Sequence, residues 1–122
     1  MSERMSLGQV GLLVLYAIGM TIGQILFKLT APLLAGDLPI MERLVLLATS
    51  KEFIIALVLY GALTVLWVWI LSFTPLSRAY PFAALAFLLT PIVGAAVFGE
   101  PLTSRFVAGL AAILVGLWLI TG

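Results

Sequence analysis

Three polar side chains interrupt an otherwise apolar stretch near the start of the chain, and their spacing brings them together. Thr21, Gln24 and Lys28 stand at i, i+3 and i+7, within about a 60° arc of one helix face. Ala17 continues the stripe inward, and Gly19 and Gly23 beside it form a small-xxx-small pair that lets another helix approach closely. A polar or ionisable group inside an apolar span is expensive unless it faces a partner helix or a cavity, so the stripe is a candidate binding site. Lys28 has a second reading: it is close enough to the end of the stretch for its ammonium to snorkel to the membrane interface. Gln24 is too deep for that.

Arg78 opens a later apolar segment, beside Ser77 and Tyr80. An arginine at a helix start opposes the dipole, so helix stability does not explain it. Headgroup anchoring and contact with a phosphate both suit it, the second because guanidinium matches phosphate geometry. Arg105, shortly after Glu100, reads as a local ion-pair partner for that carboxylate. Pro81 and Pro91 interrupt one segment, and Pro91 frees the Phe87 carbonyl in mid-span. Such a break needs compensation from neighbours or a wet cavity, so this segment is either pathway-lining or merely kinked. Trp67, Trp69 and Trp118 fall toward one side as interfacial anchors, with Trp67 also placed to line a pocket.

Much chemistry is excluded. The chain has no cysteine and no histidine, which removes disulfides, thiolate metal sites and histidine acid–base catalysis; no cofactor or metal is expected. The carboxylates lie at segment ends or in loops, with no nucleophile–base set, so the chain does not read as an enzyme. A net charge of +1 provides no basic footprint for nucleic acid.

The elements that position these residues follow from composition. The 122 residues are 64% hydrophobic and only 9% charged, with a mean hydropathy of +1.30. A soluble chain of this length cannot hide so much apolar surface in one core, so lipid must cover it. The expected fold is an all-α membrane protein, a single domain of four transmembrane helices at about 7–29, 53–73, 76–98 and 103–121. The opening residues carry one acid and one base, and no small-residue cleavage site follows the apolar run; the run reads as the first span rather than a signal peptide. Thr74-Pro75 is expected as cap and first position of the third span. Gly99-Glu100-Pro101 is expected as a tight turn, with Thr103 or Ser104 capping the last span. The one long connection, 30–52, repeats Ile40, Leu44 and Leu47 at helical spacing, which suits either a short helix on the membrane surface or an irregular loop.

An even number of spans puts both termini on one side, here side A. Arg4 and Arg78 belong to that side; Lys28, Arg43, Lys51 and Arg105 belong to side B. So small a bias leaves orientation open, insertion both ways included.

The stretch Gly23-Gln-Ile-Leu-Phe-Lys28, then Pro75-Leu-Ser-Arg-Ala-Tyr-Pro81, then Gly99-Glu-Pro-Leu-Thr103 together resemble the drug/metabolite transporter superfamily in its four-helix form. Two branches are candidates: the small multidrug resistance exporters, and EamA-like subunits such as those of the aminoarabinose–phosphoundecaprenol flippase. The wording Gly-Gln-x-x-x-Lys and Ala-Tyr-Pro is similar to the second. Exporters of the first kind carry a membrane-embedded glutamate eight residues before the lysine, where this chain has Met20. Without that carboxylate the exporters' proton and cation exchange has no site.

The resemblance implies a half-unit that works as a dimer in the bacterial inner membrane and moves a polyprenyl-phosphate-linked sugar, with Lys28 or Arg78 receiving the phosphate. Taken with the polar stripe and the Arg78 segment, it puts Lys28, Gln24, Thr21, Arg78 and Tyr80 at the substrate, and the resemblance puts Gly109 and Gly116 at the dimer seam. The partner is a second copy or a paralogue. Lys28 closes the first span on side B while Arg78 opens the third on side A, so a pair in opposite orientation would offer both cations on each face. The rivals are an exporter of small polar or cationic metabolites on the same fold and a non-transporting scaffold for a glycosyltransferase.

Overall fold

The computed structural model describes residues 6–121. Its elements are α1 (Leu7–Thr30), a 3₁₀ turn (Ala31–Leu34), α2 (Ile40–Thr49), α3 (Lys51–Leu71), α4 (Leu76–Phe98) and α5 (Ser104–Thr121). α1, α3 and α4 are long and apolar enough to cross a membrane, and α5 is a shorter apolar helix. Arg4 and the opening residues before Ser6 lie outside the described residues.

α1 starts on a capping box: Ser6 Oγ accepts from the Gln9 amide at 3.1 Å, and Gln9 Oε1 accepts from the Ser6 amide at 2.7 Å. Gln9 has a second task. Its Nε2 donates to the Phe73 carbonyl at 3.1 Å and to Thr74 Oγ at 3.0 Å, tying the start of α1 to the turn between α3 and α4. This corrects the expected cap of α4. The buried Thr74 hydroxyl bonds Gln9, and Pro75 itself stands at the cap position in extended conformation, with no side-chain cap bond. Lacking an N–H, Pro75 leaves no amide to satisfy there, and its carbonyl accepts from the Ala79 amide at 2.9 Å.

α1 is the central helix, with α3 packed on one side, α4 on the other, and α5 flanking α4. Where the start of α1, the end of α3 and the start of α4 meet, Leu13, Ile70 and Ala79 are buried under Tyr16, Trp67 and Phe82. In the other half, α1 and α3 close through glycine. A Cβ on Gly19 would lie 2.7 Å from Leu63 Cδ2, and one on Gly23 would enter the Tyr60 ring. The small-residue pair therefore performs the close approach its spacing suggested.

The long connection contains a helix, α2, over the expected repeat. Arg43 folds the preceding segment onto it, donating to the carbonyls of Leu38 at 2.7 Å and Leu34 at 2.8 Å. Ser50 caps α3, which therefore starts at Lys51 rather than 53 and ends at Leu71 rather than 73. Gly99 adopts the left-handed conformation (φ 67°) that ends α4 without a Cβ penalty. Of the two candidate caps for α5, Thr103 serves: its hydroxyl accepts from the Phe106 amide at 3.1 Å. Many large apolar side chains remain uncovered, Val65 and Trp118 among them at 70% and 69% exposed; such a surface belongs in lipid or against another chain.

Candidate functional site

The polar stripe of α1 is built into the bundle. Thr21 is buried, its hydroxyl donating to the Ala17 carbonyl at 3.0 Å and accepting from Thr90 of α4 at 3.4 Å. Gln24 Nε2 donates to the Tyr60 hydroxyl at 2.8 Å, and that hydroxyl donates to the Met20 carbonyl at 3.1 Å. Tyr60 is held flat by Phe27, with ring centroids 5.2 Å apart and planes 8° from parallel. The carboxamide is thus oriented by α3 while it lines a cavity on the α4 side.

That cavity, about 460 Å³, is walled by Met20 and Gln24 from α1 and by Tyr80, Ala83, Phe87, Thr90 and Pro91 among others from α4. Gln24, Tyr80 and Phe87 are exposed, so it opens sideways from the chain. Tyr80 meets Trp67 edge-on, the centroids 6.3 Å apart, and Trp67 stacks on Tyr16 at 4.9 Å. Trp67 is therefore packed within the bundle, unlike the exposed Trp69 and Trp118. The wall carries Gln24, Tyr80 and Thr90 as polar groups and no carboxylate.

The two cations do not line it. Lys28, four residues beyond Gln24, forms an ion pair with Glu100 at 3.7 Å, both side chains about half exposed. This corrects the expected Glu100–Arg105 pair: the turn at Gly99 carries Glu100 back over the end of α1, leaving Arg105 on the α5 side. Arg78 lies in the first turn of α4, half-buried, with Tyr80 between it and the cavity along the helix. Of the five substrate residues read from the sequence, the structure gathers Gln24 and Tyr80 on one wall with Thr21 just behind it. Lys28 and Arg78 stand apart from that wall.

The chain has relatives among known proteins. Over 110 residues, 90% of this chain and 93% of the relative, it is 34% identical to the probable 4-amino-4-deoxy-L-arabinose-phosphoundecaprenol flippase subunit ArnE of Yersinia pestis (strain Pestoides F). The chain belongs to the ArnE family. Proteins of the same name from Enterobacter sp. (strain 638) and Serratia proteamaculans (strain 568) are each 34% identical, over 56% and 60% of this chain. Those two alignments span 64% of the relatives' own length, less than two thirds. No family model and no solved structure matches the chain. Family membership and three long apolar helices together make it a multi-pass protein of the bacterial inner membrane.

Sequence reasoning missed Tyr60, Thr90 and the pairing of Glu100. The signal for Tyr60 was present: a phenol in the middle of an apolar span needs a hydrogen-bond partner, and Gln24 was a deep polar group in need of one.

Proposed function

We propose that the chain is a subunit of a membrane flippase that translocates a polyprenyl-phosphate-linked sugar. The 4-amino-4-deoxy-L-arabinose lipid in its relatives' name is the first cargo to test. The observation that carries this reading is the α1–α4 cavity, polar at Gln24, Tyr80 and Thr90, open at its side, and free of carboxylate. A side opening lets a sugar enter a hydrogen-bonding cleft while its long tail stays in lipid. A cation exporter on the same scaffold needs a counter-charge in that wall, and Met20 supplies none.

In this reading Lys28 receives the phosphate at one face. Its bond to Glu100 is an exposed ion pair, worth about 1 kcal/mol or less in water, so an arriving phosphate displaces it at small cost. The 18 residues of α5 extend about 27 Å at 1.5 Å per residue, enough for α5 to serve as a fourth span through a thin bilayer. Two chains, identical or paralogous, pair in opposite orientation, so that Arg78 of one stands at the face where Lys28 of the other lies. The cavity's open side supports such pairing.

The experiment uses the chain isolated from its membrane with any partner it retains, in vesicles carrying the aminosugar lipid. A membrane-impermeant amine reagent should reach the inner-leaflet pool only when the protein is present. If that pool stays shielded with the protein folded and incorporated, the flippase reading fails. Single cysteines near each terminus, in a chain with none of its own, report orientation; labelling of a functional homodimer from one side only would remove the antiparallel pair.

A further inference from the structure

A second groove lies across α4 from the polar cavity. It encloses about 580 Å³ between α4 and α5, and its wall is Phe87, Pro91, Phe106, Gly109, Leu110 and Ile113, with Thr103 and Arg105 at one end. The lining is apolar except at that end. Gly109 leaves its floor open, since a Cβ there would meet nothing within 4 Å. The Arg105 side chain makes no hydrogen bond or ion pair among the described residues; Glu100 is turned to Lys28.

The axial order matters. Thr103 and Arg105 stand at the start of α5, level with the end of α4, whereas Phe87 and Ile113 lie near the middle of the two helices. A cation at the membrane face followed by an apolar trough running toward mid-bilayer has the layout of one lipid: phosphate first, hydrocarbon behind it. Guanidinium suits a phosphate diester or monoester, and an interfacial arginine can hold it without leaving water.

The geometry points to the α4–α5 groove as an entry site for a polyprenyl-phosphate lipid, with the phosphate held on Arg105 before it passes to Lys28 at the same end of the bundle, and the first isoprenoid units between Phe87, Phe106 and Ile113. The inference rests on the flippase reading for the choice of a polyprenyl tail over an acyl one. Phe87 and Pro91 are common to this groove and the polar cavity, so one turn of α4 separates the tail from the sugar. The proline deletes a backbone hydrogen bond at that turn, which allows the wall to flex between the two compartments. The tail is thereby retained beside α5 while the headgroup moves along α1.

The test is photolabelling of the full-length protein in phosphatidylcholine vesicles with a polyprenyl phosphate bearing a diazirine in its first isoprenoid units. Adducts should map to the α4 and α5 residues of the groove. Arg105→Gln should lower labelling by about tenfold, the loss expected for one charge-assisted hydrogen bond, and Arg105→Lys should restore part of it. Excess unlabelled polyprenyl phosphate should compete, and phosphatidylglycerol and inorganic phosphate should not. Adducts elsewhere, labelling indifferent to Arg105→Gln, or equal competition by phosphatidylglycerol would each overturn the assignment. Because labelling is read without transport, a groove that labels in a protein that does not translocate retains the site and removes only the flippase.

Discussion

α1 and α5 carry small residues for the same purpose on paper and meet opposite fates in the fold. On α1, Gly19 and Gly23 are filled by Leu63 and Tyr60 of the same chain, and the helix between them and α4 is the buried centre of the bundle. On α5, Gly109 and Gly116 face open space, and most of the helix surface is uncovered. Spacing alone does not distinguish a seam closed within one chain from a seam left for another molecule. The difference lies in what the flanking helices supply. α3 brings a long aromatic and a leucine to α1, whereas α5 is the last helix of the chain's described part and flanks only the outer side of α4.

The largest expected effect breaks the closed seam. Gly23→Leu places a branched side chain where the Tyr60 ring already lies; overpacking of that kind costs about 1–3 kcal/mol or more. Folded, monodisperse protein should be lost, as read by size-exclusion recovery. Normal recovery would mean that α1 and α3 separate freely, and the contrast with α5 would vanish.

The open seam should respond differently. Gly109→Leu with Gly116→Leu should leave recovery and helicity intact but cut crosslinked dimer in detergent, since both glycines lie on one face two turns apart. Reduced crosslinking would mean that the partner closes over the α4–α5 groove beside Gly109; unchanged crosslinking would put the interface on another helix and leave the groove to lipid alone.

A smaller effect, confined to function, is expected at the end of α1. Lys28→Ala should lower transport by about tenfold, the value of a charge-assisted contact to phosphate, with expression near normal. Arginine at that position should rescue only in part, its fork being larger and more rigid than an ammonium. A fully active alanine variant would reduce Lys28 to an interfacial anchor. Smallest of all, Tyr60→Phe removes the hydroxyl between Gln24 and the Met20 carbonyl. A single such bond within a membrane is worth about 0.6 kcal/mol, so a slight loss in thermal stability should accompany a freer Gln24; a large loss would show that the phenol holds α1 and α3 together.

Local signals in this chain were legible where chemistry is local. The helix of the long connection appeared at the repeat of Ile40, Leu44 and Leu47, and the turn at Gly99 appeared where only glycine tolerates a positive φ. The polar stripe was legible because 3.6-residue periodicity places Thr21 and Gln24 together without any knowledge of neighbours. Its partners were not, since Tyr60 and Thr90 are distant in sequence and only the packing of α3 and α4 on α1 brings them near. Glu100 misled for a related reason. Arg105 is nearer along the chain, but the backbone reverses at Gly99 and delivers the carboxylate to Lys28 instead. Thr74 misled because a threonine before a proline suggests a cap, and nothing local announces that Gln9 will bond it.

The turn at Gly99 also governs how the chain can be threaded into a bilayer during synthesis. From Phe98 to Ser104 the backbone can extend about 20 Å at most, short of the roughly 30 Å hydrocarbon layer. The end of α4 and the start of α5 must therefore emerge on the same face, whichever face that is. As the fourth span proposed above, α5 would enter with α4 as a hairpin whose longer arm commits the shorter one. A ribosome–translocon assembly that releases α4 in either direction thus fixes the face on which α5 begins in the same event.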